Sequence, residues 1–154
     1  VLAANPKLHG ILFDRPAVVA RAPAVLGQHG VTDRCTVKAG DFFEGLPSGA
    51  NALVLKNVLH DWDDKRALDI LIRCREAMNG NGRLLVIDRL MPTRAEAGTP
   101  VDPFLMDLDM LVGAGGCERT EAEFRTLLSK AGLALTAVTP TGALGLAIVE
   151  GQLA

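Results

Sequence analysis

Residues 50–92 constrain the fold more than any other stretch of the chain. Apolar runs at 52–59 and 84–87 have the length and content of buried strands. Between them Ala67, Ile70, Leu71, Cys74, Ala77 and Met78 recur at intervals of three and four, which lays one apolar stripe along a helix. Asp63 or Asp64 is placed to cap its start, and Gly80 and Gly82 to stop it. The segment reads as one strand–helix–strand unit, the repeating block of a parallel sheet. His60, Asp61 and Trp62 stand where its first strand ends. In open α/β sheets the ligand crevice lies at the carboxyl ends of the strands, so chemistry is expected here.

The rest of the chain continues the alternation. Residues 1–8 read as the tail of a helix closed by Gly10, and 10–13 as a short strand ending at Asp14. Residues 16–28 carry Val18, Val19, Ala22, Val25 and Leu26 on a nearly helical stripe, with Pro16 in the first turn and Gly30 past the end. Pro23 is expected to split or kink that helix. Residues 35–39 form a brief strand with 40–43 as its terminal loop, and 46–49 have turn chemistry. Residues 93–99 read as a polar loop, and 103–112 as an apolar helix that carries Asp107 and Asp109 beside a pocket. Gly113 to Gly116 form a flexible link. Thr120 and Glu123 have the spacing of a capping box, and the helix they open buries Phe124, Leu127, Leu128 and Ala131 before Gly132 ends it. Residues 133–138 and 145–149, joined by a turn at 140–142, close the chain as an antiparallel pair. The order predicts an α/β fold, a mainly parallel sheet with helices on both faces and an antiparallel pair at its C-terminal end.

At 154 residues the chain suits one domain with a real core. A net charge of −2 and the lack of a basic stripe interleaved with aromatics argue against nucleic acid as a partner. No apolar run approaches the roughly 20 residues that span a bilayer, so no membrane is expected either. Residues 1–9 lack the order of a signal peptide. Cys35, Cys74 and Cys117 are odd in number and widely spaced, with no CxxC. A disulfide framework and a zinc site are therefore not expected, and a cytoplasmic location is the default. The chain opens without methionine, in what reads as the middle of a helix, so a piece of something longer is expected.

His60 leads the candidates for chemistry. An imidazole titrates at about pH 6.5 and takes up a proton near neutrality. A single histidine is more often structural, but its place at a strand end, beside three acids and the only tryptophan, weighs the other way. Metal ligation by His-Asp-Trp-Asp-Asp lacks a second histidine nearby, and no metal is expected. Asp14 and Asp41 both end strands, where an acid either binds ribose hydroxyls or caps a turn. Phe42 and Trp62 either stack on a planar group or simply pack. Asp88 ends the strand after the main helix. Glu118 precedes the capping box, where it serves chemistry or only favours a helix N-terminus.

His60-Asp61-Trp62, preceded by Leu55-Lys56 and followed by a helix and Gly82-Arg83-Leu84-Leu85-Val86-Ile87-Asp88, resembles the small-molecule O-methyltransferases dependent on S-adenosylmethionine. That group contains plant caffeate and flavonoid enzymes and bacterial antibiotic-tailoring enzymes. Phe13-Asp14-Arg15-Pro16, Gly40-Asp41-Phe42-Phe43 and Gly115-Gly116-Cys117-Glu118-Arg119-Thr120-Glu121 match further, in the family's order and over nearly the whole chain. The wording Leu59-His60-Asp61-Trp62-Asp63-Asp64 is nearer the bacterial branch.

The resemblance implies a Rossmann-like methyltransferase sheet. It implies methyl transfer from S-adenosylmethionine to a hydroxyl of a small, aromatic natural product in secondary metabolism. His60 matches the general base, and Asp88 and Glu118 match the acids flanking it, where the family often has glutamate in place of Asp88. Asp14 matches the ribose-binding acid, and Asp41 the residue near the adenine amino group. Phe42 stands where a methionine often packs on that ring; Lys56 matches a position near the cofactor's methionine end, and Trp62 one beside the adenine. Arg15 replaces a usual leucine. Met106, Asp107 and Met110 fall on the helix that lines the acceptor pocket. The family's first strand, its glycine-rich loop and its preceding helical domain, which makes the homodimer and closes over the acceptor, have no counterpart in these residues. The expectation is one cofactor-binding domain, residues 1–154, incomplete at its N-terminal side, which alone binds cofactor poorly and does not turn over. Two rivals stay open: the same cofactor serving hydroxylation or decarboxylation, and a non-catalytic interaction module.

Overall fold

The computed structural model describes residues 1–96, 98–142 and 145–154, so the loop expected at 93–99 lies partly outside the described residues. Its contacts group into two compact units, Val1–Pro47 and Ser48–Ala154.

In the first unit, strands β1 (Gly10–Asp14) and β2 (Cys35–Ala39) pair in parallel, from Gly10 opposite Cys35 to Asp14 opposite Ala39. Between them run α1 (Pro16–Val19) and α2 (Ala22–Gln28). The expected split occurs, but ahead of Pro23 rather than at it. Pro23 sits in the first turn of α2, where no amide donor is needed and the ring's fixed φ suits the helix. The helix tail expected over 1–8 is not formed. Those residues hold a single 3-10 turn, Leu2–Ala4, and Gly10 begins β1 instead of closing a helix. The cause is Pro6, which drives the preceding residue out of helical space; Asn5 sits at φ −132°, ψ 85°. The Arg34 guanidinium ties the segment down instead, donating to the carbonyls of Leu2, Asn5 and Leu8 at 3.1, 3.2 and 3.1 Å.

The second unit carries β3 (Ala50–Lys56), α3 (Asp64–Ala77), β4 (Met78–Arg89), α4 (Asp102–Gly113), α5 (Glu121–Lys130), β5 (Leu133–Pro140) and β6 (Leu146–Leu153). Its sheet has the order β3-β4-β6-β5. β3 and β4 are parallel, with Leu53 opposite Leu84 and Leu55 opposite Val86, as a strand–helix–strand unit requires. β6 runs antiparallel to both its neighbours, and it inserts between β4 and β5. Thus the fold is α/β, a parallel-plus-antiparallel sheet with the antiparallel pair at its C-terminal end.

Two boundaries differ from the sequence reading. α3 ends at Ala77 with Met78 already extended, so Gly80 and Gly82 lie inside β4 rather than stopping the helix. A Cβ on Gly82 would stand 3.1 Å from the Asn79 carbonyl and 3.3 Å from that of Ala50, beside the irregularity in the β3–β4 register. The glycine answers to close backbone approach, not to helix termination. β3 stops at Lys56, short of the apolar run, because Asn57 turns into left-handed space at φ 53° and Leu59–Asp61 forms a 3-10 turn.

The core lies where α3 and α5 meet the sheet. α3 buries Ala67, Ile70, Leu71, Cys74 and Ala77, the expected stripe except for Met78, which is buried at the start of β4, and Asp63 caps it by accepting from the Arg66 amide at 2.8 Å. α5 buries Phe124, Leu127 and Leu128 beneath the capping box of Thr120 and Glu123. Leu84, Val86 and Val149 complete the layer from the strands. Burial of each large side chain contributes about 1.5–3 kcal/mol. α4 buries no residue. Phe104, Met106, Asp107 and Met110 are half-buried, while Leu105, Leu108 and Leu111 face outward. Among the described residues no helix is long and apolar enough to cross a membrane.

Candidate active site

Four consecutive events in the chain build the site. β3 ends, Asn57 reverses the backbone, the 3-10 turn presents His60, and Asp63 starts α3. The imidazole thus stands at the carboxyl end of a parallel strand. It is 17% exposed, so it is neither solvated nor sealed. Its Nδ1 lies 3.1 Å from Glu118 Oε1, across 58 residues of sequence. Its Nε2 lies 3.6 Å from Asp61 Oδ1, on a carboxylate that is half exposed. A carboxylate only accepts, so the neutral ring donates from Nδ1 to Glu118 and keeps a lone pair on Nε2.

Electrostatics favour protonation of that ring. The hydrogen bond to Glu118 raises the His60 pKa most, partial burial pulls it down, and the charges of Asp88, Glu118 and Asp61 raise it further, for a net rise above 6.5. Asp88 ends β4 nearby, 1% exposed. Burial pushes its carboxyl up to about 6 against the pull of His60. The amides of Val58 and Asn57 also favour its charged form, but among the described residues neither oxygen of Asp88 closes a hydrogen bond. Glu118 is as deeply buried; its Oε2 is likewise unbonded, and Arg89 Nε approaches its Oε1 to 3.9 Å. Two buried acids with spare acceptor capacity flank one histidine.

The loop that brings Glu118 here is fixed at several points. The Glu118 amide donates to Asp107 Oδ1 at 2.8 Å, so α4 helps to hold it. Leu90 and Arg119 form a parallel bridge, and the Met91 amide donates to the Arg119 carbonyl at 2.9 Å. Asp107, expected beside the acceptor, thus uses one of its oxygens to position Glu118. Met106 and Met110 sit half-buried on the same helix.

Lys56 is the exposed last residue of β3. Trp62 follows the 3-10 turn, half-buried, with the Arg66 guanidinium 5.3 Å above its ring, a cation–π contact. In the first unit, Asp14 ends β1 and Asp41 follows β2, at the carboxyl end of the pair, where the Gly40 amide donates to the Asp14 carbonyl at 3.0 Å. Asp14 Oδ1 accepts from the Arg15 amide at 2.7 Å and Asp41 Oδ1 from the Phe43 amide at 2.8 Å. Each acid therefore uses one oxygen to shape its own turn. Phe42 packs edge-to-face on Phe43 with centroids 4.9 Å apart. Among the described residues no group of three or more His, Cys, Asp or Glu side chains is arranged to hold a metal ion.

The sequence assigns no role to Arg119 and reads Gly113 to Gly116 as a flexible link, whereas Gly113 ends α4 and Gly116 is buried, as Arg119 is, in the loop that carries Glu118. The available signal was an arginine directly after a candidate acid and just before a capping box.

A family model for the O-methyltransferase domain matches residues 1–134. The chain belongs to this family. It is 43% identical over 152 residues to a phenazine O-methyltransferase from Lysobacter antibioticus, which covers 99% of this chain and 43% of that protein. It is 46% identical over 150 residues to a mitomycin biosynthesis 6-O-methyltransferase from Streptomyces lavendulae, covering 97% and 42%. Among solved structures, an O-methyltransferase of neocarzinostatin biosynthesis, in complex with S-adenosylmethionine and 2-hydroxy-5-methyl naphthoic acid, superposes with a TM-score of 0.86. That pair shares 38% identity, over 99% of this chain and 44% of the other. The chain thus spans less than half the length of these O-methyltransferase relatives.

Proposed function

We propose that this chain is the cofactor-binding and catalytic part of an enzyme that transfers a methyl group from S-adenosylmethionine to a hydroxyl of a small aromatic natural product, with His60 as general base. The observation that carries the reading is the imidazole at a strand end, its Nδ1 engaged by buried Glu118 and its Nε2 left to accept a proton. Membership of the O-methyltransferase family and relatives named for antibiotic and phenazine chemistry support the substrate class.

The chemistry of the donors is compatible with this cofactor. Asp14 and Asp41 are acceptors at strand ends with one oxygen each already committed to the local turn, and the second is suited to ribose hydroxyls and an adenine amino group. Phe42 and Trp62 are assigned to the adenine, and Lys56 to the methionine end. When bound, S-adenosylmethionine supplies an electrophilic methyl on a sulfonium. The chain's own residues must do the rest. They hold the acceptor oxygen in line with the methyl, and they take its proton.

The proton step sets a constraint. A phenol near pKa 10 and an imidazole near 6.5 differ by about 3.5 units, roughly 5 kcal/mol for complete transfer in water. Full transfer ahead of methyl movement is therefore unfavourable, and the two events should overlap. Glu118 and Asp88 narrow the gap by favouring the imidazolium. Met106, Asp107 and Met110 are assigned to the acceptor side. The complete enzyme is assigned a homodimeric, cytoplasmic form. His60→Gln in the complete enzyme tests the reading: methylated product should vanish while calorimetric binding of S-adenosylmethionine persists. Unchanged turnover would remove the base assignment. Product analysis for hydroxylation or decarboxylation in the same assay separates the rival chemistry.

A further inference from the structure

We propose that Arg119 is a positioning residue for His60: its buried guanidinium ties the carbonyls flanking the histidine to the loop that carries Glu118, and so sets the imidazole against that carboxylate. The inference rests on the base reading of His60 given above.

Arg119 is 2% exposed, one of the largest fully buried side chains of the protein. Its Nη1 donates to the Leu59 carbonyl at 2.9 Å and its Nη2 to the Trp62 carbonyl at 2.8 Å. His60 lies between those two residues, so the cation grips its turn from both ends. Nη1 also reaches the Cys117 carbonyl at 3.4 Å, on the loop of Glu118 itself. Nε and Nη2 bind Asp64 Oδ1 at 3.0 and 2.9 Å, which fixes the guanidinium plane at the first turn of α3. One planar fork joins the His60 turn, the start of α3 and the Glu118 loop. An ammonium, with one nitrogen, cannot make this set of bonds.

Gly116 carries the same conclusion independently. A Cβ there would overlap the His60 carbonyl oxygen and come within 2.5 Å of the Asp61 carbonyl carbon. The two backbones are therefore in direct contact just ahead of Glu118, and the loop is seated on the turn. The registration of His60 with Glu118 depends on this seat and on the arginine that fastens it. The 3.1 Å contact between them spans elements otherwise 58 residues apart.

The imidazole is faced by Glu118 from the loop, Asp88 from β4 and Asp61 from its own turn, with Arg89 reaching Glu118. Arg119 bonds carbonyls and Asp64, not the ring. This gives opposite signs to two explanations. If Arg119 acted only as a positive charge, its removal would raise the His60 midpoint. If it positions His60, its removal weakens the Glu118 hydrogen bond and the midpoint falls.

The test is an NMR titration of the His60 ring in the ligand-free complete enzyme, with steady-state kinetics on the same samples. The set is wild type, Arg119→Met, Arg119→Lys and His60→Gln. The expected result for Arg119→Met is a lowered His60 midpoint and kcat down about 10- to 100-fold, with KM for S-adenosylmethionine within about threefold. Arg119→Lys should fall between that variant and wild type. A raised or unchanged midpoint, or a kcat reduced only in step with the folded fraction, overturns the proposal. Should Arg119→Met not fold, a folded Arg119→Lys with wild-type midpoint and kcat overturns it equally. Failure of the base reading shows separately, as normal turnover in His60→Gln, since the ring titration needs no turnover.

Discussion

Asp88→Asn should make the protein more stable at neutral pH while impairing methyl transfer. Asp88 is 1% exposed, and among the described residues neither of its oxygens is hydrogen-bonded. Burial, opposed by His60, raises its pKa from 3.8 to about 6. The folded state then binds this proton more tightly than the unfolded chain does. A group of this kind stabilises the fold below its unfolded pKa, and that stability is lost as pH rises through the folded pKa. At 1.36 kcal/mol per unit, ionised Asp88 costs the fold about 3 kcal/mol above pH 6. Asparagine keeps the shape and cannot ionise. Denaturant titrations of wild type and Asp88→Asn from pH 4 to pH 8 measure the difference. It should shift in favour of the variant by about 2.4 kcal/mol between those limits. A constant offset from packing of the amide cancels in that comparison. Near neutrality the gain corresponds to roughly 6–12 °C in Tm for a chain of this size. A difference that does not change with pH, or that moves against the variant as pH rises, would refute the argument.

Two further outcomes follow from the same geometry. The His60 pKa is raised, chiefly by the Glu118 hydrogen bond, and only the neutral ring accepts a proton; kcat/KM should therefore fall toward acid with a midpoint above 6.5, and Glu118→Gln should move that midpoint down in a pH–rate profile. Thr120→Ala removes the hydroxyl that accepts from the Glu123 amide in the capping box of α5, and should cost about 1 kcal/mol in denaturation, with no loss seen if another group takes over the amide.

Much of the fold was legible because its causes are local. The stripe of Ala67, Ile70, Leu71, Cys74 and Ala77 specifies α3 through helical period alone, and these side chains are buried. The Thr120–Glu123 box depends on residues three apart and forms as spaced. Where local cues compete, the structure departs from what they suggest. Pro6 outweighed the apparent helix tail at the start, and Asn57 ended β3 inside an apolar run that carried no warning glycine or proline. α4 shows the limit of composition, since it is mostly apolar yet Leu105, Leu108 and Leu111 face outward. The insertion of β6 between β4 and β5 was not legible either, because strand neighbours are chosen by packing across the sheet rather than by the turn that joins them.

By itself the sequence determined which elements form and which side chains carry charge to the strand ends. Period, caps and turn residues act over a few positions, and His60, Asp88 and Glu118 stand at element boundaries that such signals mark. Only the tertiary structure decided that the two buried acids and the imidazole meet, which nitrogen Glu118 engages, and that Arg119 and Gly116 fasten the meeting. Those contacts join residues some 55 to 60 positions apart. Burial then changes the chemistry of the groups it gathers: the charge on Asp88 becomes costly, and the proton on His60 becomes favoured, only once the sheet has closed water out around them.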